Sequence, residues 1–410
     1  MKLLSLRSIQ PLNLLSFGPE TEPIEIRPLN ILIGANGSGK SNFIEVVRLL
    51  HFLPDKEPWG VVKGTGGVGE WAWKGRKLSG LPCALRARFS FEKADARLLG
   101  WYPKELDFQV TLEISGPTFR IASEALQYLL DGRPNELLSN SFVRNGSSGR
   151  MQDRLATEVS DQFELNAERS VLSQLASGSL QHLGSQMPEV YDLAEYLESF
   201  DFHQDWEFGV DCAPREPQPV GQPVDRLEED ASNLAQMLAH FRDNHKDTFY
   251  RLTDYVSRFY DSAKSVEIPI LSTHLQIAIG ERNGHTTPAA RLSDGMLRWL
   301  AILAILLNPN PAPVTCIDEP ELGLHPDIMP MLADLLREAS SRTQLIVTTH
   351  SPTLVDAFSE PEDAESICVT EKIEGSTVIR RLKADDLSVW LKDYSLGSLW
   401  TSGQVGGGRW

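Results

Sequence analysis

Cysteine is scarce in this chain. The 410 residues include four, Cys83, Cys212, Cys316 and Cys368, far apart and without a CxxC pair. That spacing argues against a disulfide scaffold and against a zinc knuckle. No apolar run approaches the roughly 18 residues of a membrane span. The longest, Trp299–Leu307, is too short to cross and reads as a buried helix. The opening residues, MKLLSLRSIQPLNLL, lack a signal-peptide apolar core and a small-residue cleavage site, so the cytosol is the expected location. Positive charge is in deficit: 39 Lys and Arg face 56 Asp and Glu, a net charge of −17. Such a surface mostly confers solubility and does not wrap nucleic acid over its whole extent, although a local basic groove stays open. No heptad pattern is sustained, so a long coiled coil is not expected, and no internal repeat is visible.

What is present suits a soluble globular chain. Hydrophobic residues make up 41%, and the length allows two average domains or one large one. Residues 1–33 read as strands. Ser41–Phe52 reads as a helix, with Phe43, Val46, Val47 and Leu50 at helical spacing. Residues 54–80 are glycine-rich, punctuated by Trp59, Trp71 and Trp73 and locally basic through Lys63, Lys74, Arg76 and Lys77. They read either as a contact surface or as a solvent loop pinned by tryptophans. Residues 83–92 and 107–122 alternate as strands do. From about 124 to 264 the pattern turns helical, broken by the Pro-rich 213–223, with helices expected at 187–199 and 232–260. Strand returns at 266–280, followed by helix at 295–307, buried strand at 313–317, helix at 326–340 and buried strand at 344–349. The expected class is α/β, with an N-terminal lobe over 1–125, a helical insertion over 126–264 and a C-terminal lobe over 265–410.

Four motifs carry chemistry. Gly34-Ala35-Asn36-Gly37-Ser38-Gly39-Lys40-Ser41 matches GxxxxGK[ST] between an apolar strand and an amphipathic helix. Its glycines let successive backbone N–H groups face phosphate oxygens, and the following helix adds its N-terminal partial charge. Lys40 then reaches the β- and γ-phosphates and Ser41 ligates Mg²⁺. A chance match in a chain of this length is on the order of one in a hundred. Val314-Thr315-Cys316-Ile317-Asp318-Glu319 is a buried strand that delivers two carboxylates at its C-terminal end, where open α/β sheets bind ligands. Asp318 is suited to hold Mg²⁺ and Glu319 to polarise an attacking water. Leu292-Ser293-Asp294-Gly295-Met296 stands at a helix start, as a second anion cradle or simply as an N-cap. Thr348-Thr349-His350-Ser351-Pro352 puts His350 at the end of a second buried strand, near the expected γ-phosphate.

Together, GANGSGKS, LSDGM, CIDEPELGLHP and TTHSP resemble the ABC-type AAA ATPases related to RecF, SMC and the overcoming-lysogenization-defect family. The resemblance is most specific to a bacterial group of ATPases with LSDG before the acidic strand and ELGLHP after it. The ending SLGSLWTSGQVGGGRW is also similar to theirs. The resemblance implies a P-loop fold with a two-lobed head, and it is strong over 29–50 and 291–355. It implies phosphate and Mg²⁺ binding by Lys40 and Ser41, a Walker B acid in Asp318, a catalytic base in Glu319 and a switch histidine in His350. Glu321, Leu322, Gly323, Leu324 and His325 resemble the D-loop that crosses a dimer interface. Ser293, Asp294 and Gly295 resemble the signature that meets the ATP of the other subunit. The Q-loop glutamine is not assigned, with Gln109 and Gln127 as candidates, and no residue is assigned to adenine. In Asp230-Ala231-Ser232-Asn233-Leu234-Ala235, alanine stands where the group usually has glycine.

The implied function is ATP binding and hydrolysis in a head-to-head homodimer with two ATP molecules between the subunits. DNA and a separate effector protein stay open as partners, in genome maintenance or antiphage defence. The alternative is a switch acting on a protein partner without DNA. A transporter subunit is disfavoured, because roughly 250 residues separate the phosphate loop from the signature. The stretch after His350 is too short for an appended TOPRIM nuclease, so any cutting of DNA is expected from a partner.

Overall fold

The computed structural model describes residues 4–75, 82–91, 105–116, 118–130, 133–134, 142–152, 159–176, 188–204, 206–387 and 390–406. Its central layer is a six-stranded sheet. In spatial order the strands are Asp201–His203, Val314–Asp318, Gln344–Thr348, Leu29–Ile33, Ile367–Ile373 and Ser376–Arg381. The first five run parallel and the last is antiparallel. Leu29–Ile33 and Gln344–Thr348 are buried at every position, as strands covered on both faces must be. The alternation sorts them between two cores. Leu29, Ile31, Ile33, Ile317, Leu345 and Val347 face the all-round buried helix Asp294–Leu306. Leu32, Val314, Cys316, Ile346 and Cys368 face the helix Lys40–Phe52.

Beyond that helix lies a nine-stranded antiparallel sheet. Its order is Val159–Glu164, Ser148–Gln152, Phe142–Asn145, Thr118–Leu130, Glu105–Ser115, Cys83–Phe91, Leu4–Leu12 and Ile24–Glu25, with Arg133–Pro134 beside Thr118–Leu130. This corrects the helical reading of 124–264. Thr118–Leu130 continues as one strand through the boundary expected at 125, and the described residues between it and Glu164 are strands and turns. Ala-Ser-Glu-Ala-Leu-Gln reads as helix by propensity, but pairing with Glu105–Ser115 and Phe142–Asn145 overrides it. A bulge skips Ala122, since Thr111 faces Ser123 while Leu112 faces Ile121. The buried positions therefore jump from Phe119 and Ile121 to Glu124 and Leu126, which hides the period of two.

Helices do form at Pro188–Glu198, Leu234–Asn244 and Lys246–Phe259. The glycine-rich stretch holds two short helices, Gly60–Gly64 and Val68–Trp71. Its tryptophans are pins: Trp59 Nε1 donates to the Glu168 carbonyl at 2.7 Å and Trp71 Nε1 to Thr65 Oγ1 at 2.6 Å. Arg76 and Lys77 lie outside the described residues. Ala231 has φ 54°, a left-handed conformation that glycine adopts without strain. Two residues on, the buried Asn233 side chain ties the carbonyls of Pro223 and Arg226. Among the described residues no helix is long and apolar enough to cross a membrane.

Candidate nucleotide site

The site grows from strand register. Asp318 pairs with Thr348, and Thr348 with Leu32, so three strands end level on one edge of the sheet. From that edge issue the phosphate loop, Glu319 and His350. They meet around a cavity of about 410 Å³ lined by Asn36, Gly37, Gly39, Lys40, Ser41, Asn42, Glu319 and His350.

At Gly34 and Gly39 the loop's backbone leaves no room for a side chain. Gly39 has φ 110°, and a Cβ there would collide with the hydroxyl of Thr377. Thr377 Oγ1 in turn donates to the Ser38 carbonyl at 2.7 Å and fixes the loop from behind. Lys40 is 5% exposed. Its Nζ donates to the carbonyls of Gly34 at 2.8 Å and Ala35 at 3.2 Å. Burial lowers the Lys40 pKa, opposed by the carboxylates of Glu319, Asp318 and Glu321. The buried Ser38 hydroxyl has no hydrogen-bond partner. A desolvated ammonium, a waiting hydroxyl and a glycine cradle fit a polyphosphate, and the exposed Ser41 at the cavity wall, with Asp318 near enough to act on the Lys40 charge, fits a hard divalent cation.

Glu319 has φ 46°, a strained conformation for a side-chain-bearing residue, costing about 1–2 kcal/mol. Its N–H is held by Thr348 Oγ1 at 3.1 Å and the Thr348 carbonyl at 3.2 Å. Its carbonyl accepts from Arg298 Nη1 at 3.3 Å. The same Thr348 hydroxyl donates to Asp318. Glu319 Oε1 lies 3.3 Å from His350 Nε2. Burial, and then the Lys40 charge, lower the His350 pKa against the pull of Glu319 and Asp318, so the imidazole is neutral near pH 7.

The remaining motif residues surround this centre. Ser293 caps the helix Asp294–Leu306, its hydroxyl accepting from Met296 N at 3.2 Å. Asp294 is clamped by Arg215, which also donates to the Leu292 carbonyl at 2.7 Å. A Cβ on Gly295 would lie 2.7 Å from the Gly323 carbonyl, so the start of the helix Asp294–Leu306 abuts the segment Glu321–His325 of the same chain. Leu322 is 55% exposed, Leu324 packs on the core, and His325 Nδ1 accepts from Asp327 N at 3.3 Å. Glu321 is turned inward, and burial raises its pKa.

Sequence reasoning missed three residues. Arg215 and Arg298 are buried cations that fasten the helix Asp294–Leu306, and nothing local marks them. Gln204 is the third, and it lines a separate cavity with Arg48 and Trp206 rather than the one that holds Lys40. His203 pairs in parallel with Ile317, so Gln204 leaves its strand level with Asp318. Gln109 and Gln127 sit instead within strands of the antiparallel sheet. The strand before Gln204 is three residues long, and only its neighbour identifies it.

A second cavity of about 1260 Å³ shares Asn42 with the first and is walled by Leu15, Ser16, Trp71, Trp73 and Lys372. Both open beside the start of the helix Lys40–Phe52.

The model of the family described as "AAA domain, putative AbiEii toxin, Type IV TA system" matches residues 29–98 and 179–356. The chain belongs to this AAA domain family. Its two matched segments hold all four motifs, and the unmatched interval falls on the outer antiparallel strands. Among solved structures, this AAA domain is similar to an SMC head bound to the C-winged helix domain of ScpA. That match has TM-score 0.52 and 15% identity over 94% of this chain and 99% of that one. It is also similar to the Smc head domain with an extended coiled coil, bound to the C-terminal domain of ScpA, from Pyrococcus furiosus. Here the TM-score is 0.51 and the identity 14%, over 95% and 99% of the two chains. At such identity the likeness shows the fold: a P-loop head of SMC type. No curated protein matches the chain.

Proposed function

We propose that this AAA domain binds ATP with Mg²⁺ and hydrolyses it in a head-to-head homodimer. The observation that carries the reading is the convergence of Lys40, Ser41, Glu319 and His350 on one cavity at the edge of the parallel sheet. Lys40 and the loop N–H groups bind the phosphates. Ser41 and Asp318 hold Mg²⁺, which supplies charge neutralisation when bound. Glu319 orients the attacking water, with the neutral His350 beside it to donate or accept one hydrogen bond. Phosphoryl transfer needs this positioning and charge compensation more than covalent chemistry. The nucleoside extends into the larger cavity beyond Asn42, against Leu15 and the indole of Trp73.

The exposed Ser293 and Asp294, with Gly295 beside them, leave a second anion cradle facing outward. Docked on the ATP of a second copy, Ser293 and Gly295 complete its charge stabilisation. ATP then joins two acidic subunits and hydrolysis releases them, a two-state equilibrium biased by ligand. The pathway proposed is genome maintenance or antiphage defence, with a separate effector. The second reading, a switch on a protein partner without DNA, is favoured by the net charge of −17. DNA binding measured against salt, with and without ATP, separates the two. For the core reading, the Glu319→Gln protein retains ATP and shifts to a dimer in sedimentation, with turnover reduced about 10²-fold or more. A Glu319→Gln protein that turns over ATP at the wild-type rate and stays monomeric overturns it.

A further inference from the structure

Glu321 sits in the segment whose family likeness suggests an intersubunit contact, yet its carboxylate points into its own chain. Oε1 accepts two hydrogen bonds, from Thr349 Oγ1 at 2.7 Å and from the His350 backbone N–H at 2.8 Å. Oε2 is buried without a partner. Thr349 is itself fully buried, and its hydroxyl also accepts from Ser351 N at 3.0 Å. The carboxylate thus closes the turn between the strand Gln344–Thr348 and the helix Pro352–Asp356, which is where His350 projects. Among the described residues no other acceptor holds the His350 N–H. Two residues along from Glu321, the Gly323 carbonyl lies against Gly295 at the signature start, and between them Leu322 is exposed.

The geometry points to Glu321 as the positioning residue for His350: a clamp through which the outward-facing segment Leu322–Gly323 sets the place of the imidazole beside Glu319. A copy of the chain that presses on Leu322 moves Glu321, and Glu321 moves the histidine turn. Turnover in one site thereby depends on occupancy of the interface. This rests on the hydrolytic reading above, but the clamp itself exists without nucleotide and is tested separately.

The experiment uses the full chain and three variants. In Glu321→Ala the His350 amide loses its acceptor, and Glu321→Gln keeps a carbonyl oxygen in its place. Thr349→Val removes one donor and guards against a misfolded alanine variant. Hydrogen exchange at 349–351 in nucleotide-free protein reads the clamp directly. Exchange is expected to accelerate in Glu321→Ala and to return towards wild type in Glu321→Gln. Turnover is expected to fall about tenfold or more in Glu321→Ala, as misplacement of a reacting group does, with the Kd for a non-hydrolysable ATP analogue unchanged. Glu321→Gln recovers most of the rate, and Thr349→Val shows the same split more weakly. Unchanged exchange at His350 in Glu321→Ala, or loss of analogue binding in step with turnover, overturns the proposal. A wild-type chain without ATPase activity but with accelerated exchange in Glu321→Ala would sink the hydrolytic reading and leave the clamp standing.

Discussion

Two of the regions in which this molecule buries charge treat it oppositely. In the antiparallel sheet Glu124 and Arg144 are both fully buried, 3.6 Å apart. Every donor and acceptor there is answered: Glu124 accepts from Ser170 and from Val171 N, while Arg144 donates to the carbonyls of Gly146, Arg169 and Asn166. At the edge of the parallel sheet the burial is left open. Lys40 leans on two carbonyls, Ser38 Oγ and Glu321 Oε2 have no partner, and Glu319 stands in a strained backbone. A closed network fixes a loop to a sheet. An open one stores free energy that an anionic ligand releases, which is the usual relation between stability and a binding site.

Substitutions at the two regions should therefore diverge. The largest effect is expected from Lys40→Met, which removes the buried charge at the cavity and with it the proposed phosphate contact. ATP binding should be lost by about 10³-fold, while the nucleotide-free fold keeps or gains stability within about 1 kcal/mol; calorimetric titration and urea unfolding read the two halves. Arg144→Met should do the reverse, costing about 3–5 kcal/mol of stability by stranding Glu124, with ATP affinity unchanged in whatever fraction remains folded. If Lys40→Met unfolds the chain as readily as Arg144→Met, the contrast between open and closed burial is wrong.

A smaller effect concerns His350. With its pKa lowered from 6.5 by burial and by the Lys40 charge, the imidazole stays neutral to lower pH than an ordinary histidine does. Turnover should then stay level as pH falls to that value and decline only below it; a rate halved at the ordinary histidine pKa would show an unburied, uncoupled ring. The smallest effect is at Ala231. Glycine there relieves the left-handed strain, and Ala231→Gly should raise stability by about 1 kcal/mol or less, offset in part by unfolded-state entropy. A Tm shift downward would show that the alanine methyl, 3% exposed, matters more as core than as strain.

The chain's own order of residues determined the phosphate loop, the acidic strand and the histidine turn. Each is local: glycine spacing, an apolar run and the polar residues that end it are contiguous, and short-range sterics suffice to read them. It failed over the described residues from 124 to 164, where helix-forming residues are held as strands by partners far along the chain and one bulged alanine just before them breaks the alternation. Tertiary structure alone decided that Gln204 stands level with Asp318, because that follows from which strand lies beside Ile317. It alone turned Glu321 away from the surface and onto the turn of His350, because hydrogen-bond partners 28 and 29 residues away are brought near only when two parallel strands pair.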